Sequence, residues 1–412
     1  MRKIIILFHL VLLALTVNGQ VIQYRSGLQP MKDGDNYMKV NDYLKAYENY
    51  TTAVSVDPTL ADAWYKRSLA LTKLARYKEA ISDQNRALQL NPNINSLYDI
   101  RGQLRMLVED FPGAVEDYTK AIESNPSQSE LYHQLAQSHI AIGDYASAVE
   151  DYDKMLKVDP SDTLAYLCRA LAKLNLGNIE GAQNDVNEAV KLSERNSLAF
   201  EVQGLIFIER KNYIAAILSF DEAIKINPEF ALAYYNRGVA RKLSGDNLGS
   251  VNDFSYAIAL DQNISSAYFN RAMAKRNMGL EKEAIEDYNK AIELDKEYTE
   301  AIFFRGLTKK LLGDYEGALR DYTKIVELNP NDSEAFNNRA NIRMLFGDYT
   351  NAIKDYDRAI ELNANYGIAY YNRALALIMI SKREDACDDF KESVTLGYEP
   401  AKQALNDFCI SR

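Results

Sequence analysis

Apolar and polar positions along this chain fall into two short helical waves that then repeat. Within residues 265–298, Ala267, Tyr268, Arg271, Ala272, Lys275 and Met278 recur every three to four positions, which predicts an amphipathic helix ended by Gly279. A second stripe, Ala284, Ile285, Tyr288, Ala291, Ile292 and Leu294, predicts another helix over about 282–294. Small residues at Ala272 and Ala284 mark where the two cross closely. Such a pair cannot bury both of its faces alone and needs copies of itself on either side.

The copies are present at a period of 34 residues. Stepping from Ala272 reaches Gly34, Ser68, Gly102, Ala136, Ala170, Gly204, Gly238, Gly306, Ala340 and Ala374. Stepping from Ala284 reaches alanine in every copy except at Ser250. A third column is aromatic, from Tyr50 to Phe390, with Gln84 and Val186 as exceptions. A fourth ends the second helix with Pro58, Pro92, Pro126, Pro160, Pro228 and Pro330. Residues 27–400 accommodate eleven copies without a slip of register, between a lead-in at 20–26 and a tail at 401–412. Gly143-Asp144, Gly177-Asn178, Gly245-Asp246, Gly313-Asp314 and Gly347-Asp348 join a helix-ending glycine to a residue suited to cap the next helix. No linker interrupts the array, which predicts one body of stacked helix pairs. The apolar tail residues Ala401, Ala404, Leu405, Phe408 and Cys409 predict a final helix covering the last copy.

With this period and these small, aromatic and proline columns, the chain resembles the tetratricopeptide repeat family from Gly27 to about Pro400. Ala61-Asp62-Ala63-Trp64 through Asn91-Pro92 is the copy nearest the general pattern. Departures are local: Pro30 and Lys32 in the first copy, and Glu194 and Gln262 in place of the helix-ending proline in the fifth and seventh. The resemblance implies an all-α, right-handed superhelical solenoid of stacked antiparallel helix pairs, whose first helices line a concave groove that binds extended peptides or helices. On that face stand Tyr235-Asn236, Phe269-Asn270, Phe303-Phe304, Asn337-Asn338 and Tyr371-Asn372. Rings can cover apolar side chains, and an asparagine amide can both donate to and accept from a peptide backbone. The column is similar to the asparagine ladder in the repeat superhelix of O-linked N-acetylglucosamine transferases; the alternative is a polar wall that stays wet. The chaperone-tail clamp of other members needs basic residues early in the first helix, where this chain has Leu232, Ser266, Glu300, Glu334 and Ile368. That resemblance fails.

A charged ladder runs through the same repeats. Arginines at 67, 101, 169, 237, 271, 305, 339 and 373 occupy the first helix, and aspartates at 83, 117, 151, 185, 253, 287, 321, 355 and 389 the second. Pairing inside each copy strands only Asp151, and the sixth copy lacks both charges, with Gln203 and Ser219. Pairing with the next copy would strand five residues, so the sequence favours the internal arrangement and a structural role.

Candidate chemistry is sparse. His133 and His139 stand six apart on one helix, off the three-or-four spacing that shared metal ligation favours. There is no phosphate-cradling loop, nucleophile elbow or paired-cysteine zinc spacing. Neither cofactor nor enzymatic activity is expected. Cys387 and Cys409 fall at similar heights across an expected antiparallel pair, which permits a disulfide in an exported protein; two buried free thiols are the alternative. Cys168 is left over.

Met1-Arg2-Lys3 and the apolar run from Ile4 to Val17 read as a cleaved export signal over residues 1–19. The run is shorter than the ~20 residues of a membrane span, an uncleaved anchor being the alternative. A net charge of −10, or −12 without Arg2 and Lys3, disfavours nucleic acid or anionic membrane as the main partner. The expectation is a non-catalytic scaffold, periplasmic or extracellular, binding a protein or extended peptide in its groove, with no membrane segment after signal removal. The competing expectation is an accessory subunit of an envelope secretion or assembly complex that uses its convex face and ends. The oligomeric state is not readable from these features.

Overall fold

The computed structural model describes residues 14–17, 20–23 and 27–409. The expected export signal lies outside the described residues apart from Ala14–Val17, as do residues 410–412 of the expected capping segment.

The chain divides into two units, Met1–Val202 and Gln203–Arg412. The first holds strands β1 (Ala14–Val17) and β2 (Gln20–Gln23), then helices α1 (Leu28–Lys39), α2 (Tyr43–Val56), α3 (Ala61–Lys73), α4 (Tyr77–Leu90), α5 (Ser96–Leu107), α6 (Phe111–Ser124), α7 (Ser129–Ala141), α8 (Tyr145–Val158), α9 (Thr163–Asn175) and α10 (Ile179–Leu192). The division falls inside α11 (Ser197–Glu209). The second unit continues with α12 (Tyr213–Ile226), α13 (Ala231–Leu243), α14 (Asn247–Leu260), α15 (Ser265–Asn277), α16 (Glu281–Leu294), α17 (Thr299–Leu311), α18 (Tyr315–Leu328), α19 (Ser333–Leu345), α20 (Tyr349–Leu362), α21 (Gly367–Met379), α22 (Arg383–Thr395) and α23 (Pro400–Phe408). Within each unit helices pack in antiparallel pairs, and each pair packs on the next. The departure from an all-helical chain is the antiparallel pairing of β1 with β2, in the register Ala14 to Gln23 through Val17 to Gln20.

The corner inside each helix pair is local chemistry. Gly143, Gly177, Gly245, Gly279, Gly313 and Gly347 have φ between 72° and 90°, a conformation that costs glycine little. Asp144, Asn178, Asp246, Asp314 and Asp348 follow five of them, and each accepts a hydrogen bond from the backbone N–H three residues on. Asn41, Ala75, Glu109, Lys211 and Ser381 hold the same left-handed corner without glycine.

Each core is built where the aromatic column meets the small-residue column. Tyr50, Tyr118, Tyr152, Phe220, Phe254, Tyr288, Tyr322, Tyr356 and Phe390 are among the largest fully buried side chains. Close approach explains the glycines opposite them: a Cβ on Gly204 would lie 2.4 Å from the Phe220 ring, and one on Gly34 2.6 Å from the Tyr50 ring.

The charged ladder pairs inside each copy, as the sequence favours. Arg67, Arg101, Arg169, Arg237, Arg271, Arg305, Arg339 and Arg373 each donate through Nε and Nη2 to the aspartate sixteen residues on, for example Arg169 to Asp185 at 3.0 and 2.6 Å. In most of them the same guanidinium also reaches the preceding copy through Nη1, as in Arg101 to Asn85 at 2.7 Å, Arg271 to Ser255 at 3.0 Å and Arg373 to Asp357 at 2.7 Å. Arg101, Arg169, Arg237, Arg271, Arg305 and Arg373 therefore close their own hairpins and tie them to the preceding copy, whereas Arg67 and Arg339 serve their own copy. Burial alone would push the Arg169 guanidinium down, but the carboxylates of Asp185 and Asp153 hold it above its ordinary value.

A second cation, twelve residues before the aspartate, joins most copies: Arg105, Lys173, Arg241, Lys275, Lys309 and Arg343. This column supplies the partner that the sequence reading denied to Asp151. Its position in that copy is His139, whose Nδ1 lies 2.7 Å from the Asp151 carboxylate, while Leu135 stands where the arginine would be. The stranded aspartate is thus corrected to a histidine-paired one.

At the carboxyl end Cys387 and Cys409 form a disulfide with Cα atoms 5.7 Å apart, which decides between the two alternatives left by the sequence. It holds α23 against α22, where the Phe390 and Phe408 rings stack at 6.1 Å. Cys168 is free and half-buried, and burial pushes its thiol up.

Candidate functional site

In the second unit the odd-numbered helices lie side by side, α13 touching α15 and α19 touching α21. Residues at one position of successive copies therefore form a row across this first-helix face. The rings of the row are half-buried, each resting on the aromatic column beneath: Tyr235 on Phe254 at 5.7 Å, Phe303 on Tyr322 at 5.8 Å, and Tyr371 on Phe390 at 5.9 Å. Phe269 contacts Tyr288, Tyr298 and Phe304, with centroids 5.1 to 6.0 Å apart. Rings thus line this face from α13 to α17, in unbroken contact from Phe269 through Phe304 to Phe303.

The asparagines are less free than their types suggest. Asn236 and Asn337 are buried, 9% and 4% exposed, so neither presents an amide to a ligand. Asn337 is covered because Asn372 of the next copy donates to its Oδ1 at 3.0 Å. Asn270 donates to the Tyr235 hydroxyl at 3.1 Å and to the Ser266 carbonyl at 2.9 Å, and its own Oδ1 accepts from Lys242. Both N–H groups of Asn270 are consumed inside the protein. Among the described residues Asn338 is half-buried and keeps its amide clear of such bonds.

One row on this face escapes a reading confined to aromatics and amides. Seven residues after Tyr235, Phe269 and Phe303 stand Lys242, Arg276 and Lys310, all half-buried. A seven-residue step returns to nearly the same face of a helix, so these cations share the face of the rings. Lys242 reaches across to Asn270, and Arg276 lies over the Phe304 ring at 5.6 Å. Burial pushes the Lys242 ammonium down from its ordinary value, with no carboxylate opposing it. The signal in the sequence is the 34-residue step from Lys242 to Arg276 to Lys310, which looks like ordinary surface charge until the face is known.

A separate cleft of about 490 Å³ opens in the first unit beside Tyr132, Leu135, His139, Asp151 and Lys154. It lies where the arginine of the ladder is missing. His139 there serves as a carboxylate partner, and the His133 ring packs 5.8 Å from Tyr152. Among the described residues no three His, Cys, Asp or Glu side chains gather to hold a metal ion. Among the same residues no helix is long and apolar enough to cross a membrane.

Family models of the tetratricopeptide repeat match residues 61–94, 129–174, 265–298, 299–332 and 333–366, and a TPR repeat model matches residues 204–245. No curated protein matches the chain. Among solved structures, a tetratricopeptide repeat protein from Parabacteroides merdae is 19% identical with a TM-score of 0.54, over 60% of this chain and 98% of that one. Yeast Tom70 is 15% identical with a TM-score of 0.41, over 92% of this chain and 95% of that one. The APC/C hetero-tetramer Cut9–Hcn1 gives 14% and 0.46, over 93% and 90%. At these identities the likeness concerns the fold.

Proposed function

Since the chain belongs to the tetratricopeptide repeat family, we propose that it is a non-catalytic scaffold that binds a polypeptide along its first-helix face. The observation that carries this reading is the row of half-buried rings from Tyr235 through Phe269 to Phe303. Their exposed edges can cover apolar side chains of an extended segment. Asn338 adds a free amide suited to a peptide backbone. We further propose export to a periplasm or extracellular space. The Cys387–Cys409 disulfide supports this, because such bonds persist in oxidising compartments.

The test is crosslinking of the full chain in envelope extract, followed by identification of the captured proteins. Phe269→Ala and Asn338→Ala should lose the principal partner, while a variant on the second helices keeps it. A second reading, an assembly subunit that docks through its second-helix face, is favoured by one observation. Ile214, Leu218 and Leu248 on α12 and α14 are 74%, 62% and 61% exposed. Partner loss on Ile214→Ser with Leu218→Ser, and retention in Phe269→Ala, would establish that reading instead. Fractionation with amino-terminal sequencing tests export: a chain recovered in the cytoplasmic fraction with Met1 intact would refute it.

A further inference from the structure

We propose that the segment bound on the first-helix face is acidic, its carboxylates meeting Lys242, Arg276 and Lys310. This rests on the scaffold reading above and specifies the chemistry of the partner. Adjacent cations at the ends of three first helices go different ways. In three successive copies the last turn of the first helix carries two cations: Arg241 and Lys242, Lys275 and Arg276, Lys309 and Lys310. The first of each couple turns toward its own copy and pairs with Asp253, Asp287 or Asp321 at 2.8 to 3.0 Å. The second turns to the first-helix face, and among the described residues none of Lys242, Arg276 and Lys310 has a carboxylate within 4 Å.

Cations at a helix carboxyl end can simply complement the helix dipole. That account does not explain where these side chains go. Lys242 extends to Asn270 of the next copy rather than to the carbonyls of its own helix, and Arg276 extends to the Phe304 ring of the next copy. Both reach across to the next copy, Lys242 at a cost in hydration, in a protein whose net charge is −10. The row is also confined to three copies: the equivalent positions are Ile208 before it and Met344 and Ile378 after it.

Three half-buried cations on the same face as Tyr235, Phe269 and Phe303 fit a short peptide carrying carboxylates on one edge and apolar side chains on the other. A long polyanion such as nucleic acid would meet the protein's overall negative charge, which three cations do not outweigh.

The experiment uses the full chain and two synthetic peptides of about twelve residues. One alternates glutamate with phenylalanine and valine; the other has glutamine at every glutamate. Fluorescence anisotropy at low salt should show the glutamate peptide binding about tenfold or more tightly than its glutamine twin, the difference shrinking as salt rises. The combined variant Lys242→Gln, Arg276→Gln, Lys310→Gln should lose that preference, while Lys290→Gln on α16 keeps it. Circular dichroism of the variants checks that the helices persist. Equal binding of the two peptides, with Phe269→Ala weakening both, would overturn this inference and leave the scaffold reading intact. Failure of the glutamate peptide to bind, or a preference that survives the triple variant, would also overturn it. So would Lys242-dependent binding of single-stranded DNA at least as tight as that of the peptide.

Discussion

His139 takes the role of an arginine toward Asp151: its Nδ1 stands 2.7 Å from a carboxylate that is 2% exposed. Burial pushes the Asp151 carboxyl up, against the opposing pull of His139 and Lys154. A raised folded-state value means that this group's contribution to stability is present below the ordinary carboxylate range and lost as pH rises through the folded value. Asp151→Asn should therefore gain stability relative to the native chain as pH increases through and above the ordinary carboxylate range. His139→Ala should cost about 1–3 kcal/mol near neutrality and less in acid. Hydrogen exchange in α7 and α8 across pH reads both effects. A pH-independent difference for Asp151→Asn would contradict the sign.

The ladder should not be uniformly sensitive. Among the described residues Arg67 is the only cation on buried Asp83, whereas Asp117 is met by both Arg101 and Arg105. Arg67→Leu leaves an unpaired buried carboxylate and should cost about 3–5 kcal/mol locally. Arg101→Leu should cost about half as much, because Arg105 remains. Exchange protection in α4 and α6, measured at equal denaturant, ranks the two.

Glycine at the aromatic crossing is a steric requirement in some copies and not in others. A Cβ on Gly204 would meet Phe220 at 2.4 Å, but one on Gly306 finds its nearest neighbours, Asp321 Cβ and the Tyr322 ring, at 3.2 and 3.4 Å. Gly204→Ala should destabilise by about 1–3 kcal/mol through overpacking. Gly306→Ala should be close to neutral, the contact offset by the ~1 kcal/mol helix preference of alanine over glycine. Thermal melts of the two variants give the comparison directly.

Reducing the Cys387–Cys409 bond, which closes a 22-residue separation, should remove up to about 3 kcal/mol of constraint on the end of the chain. Exchange should rise in α23 and α22 and stay unchanged in α3 and α4, since a repeat contacts only its neighbours. Uniform destabilisation of the whole chain would show that the end is not an independent cap.

Much of this is legible in the sequence. The helix pairs, their Gly-Asp corners, the aromatic core column and the in-copy pairing of arginine with aspartate all recur at one period, and each depends on residues within a single copy. The candidate site was legible only in part. Tyr235, Phe269, Phe303 and Tyr371 lie on the expected face, but Asn236 is buried, and Asn270 and Asn372 spend amide bonds on neighbouring copies. Residue type reports what an amide can bond, not what already surrounds it.

The amino-acid order by itself determined that helices of about thirteen residues alternate and pair, because spacing, caps and small-residue crossings act over distances shorter than one repeat. Only the stacked structure decided that His139 serves Asp151, that Cys387 and Cys409 meet, and that Lys242, Arg276 and Lys310 stand without carboxylates among the described residues. Those outcomes depend on which side chains of adjoining helices face one another, and the packing between helices sets that.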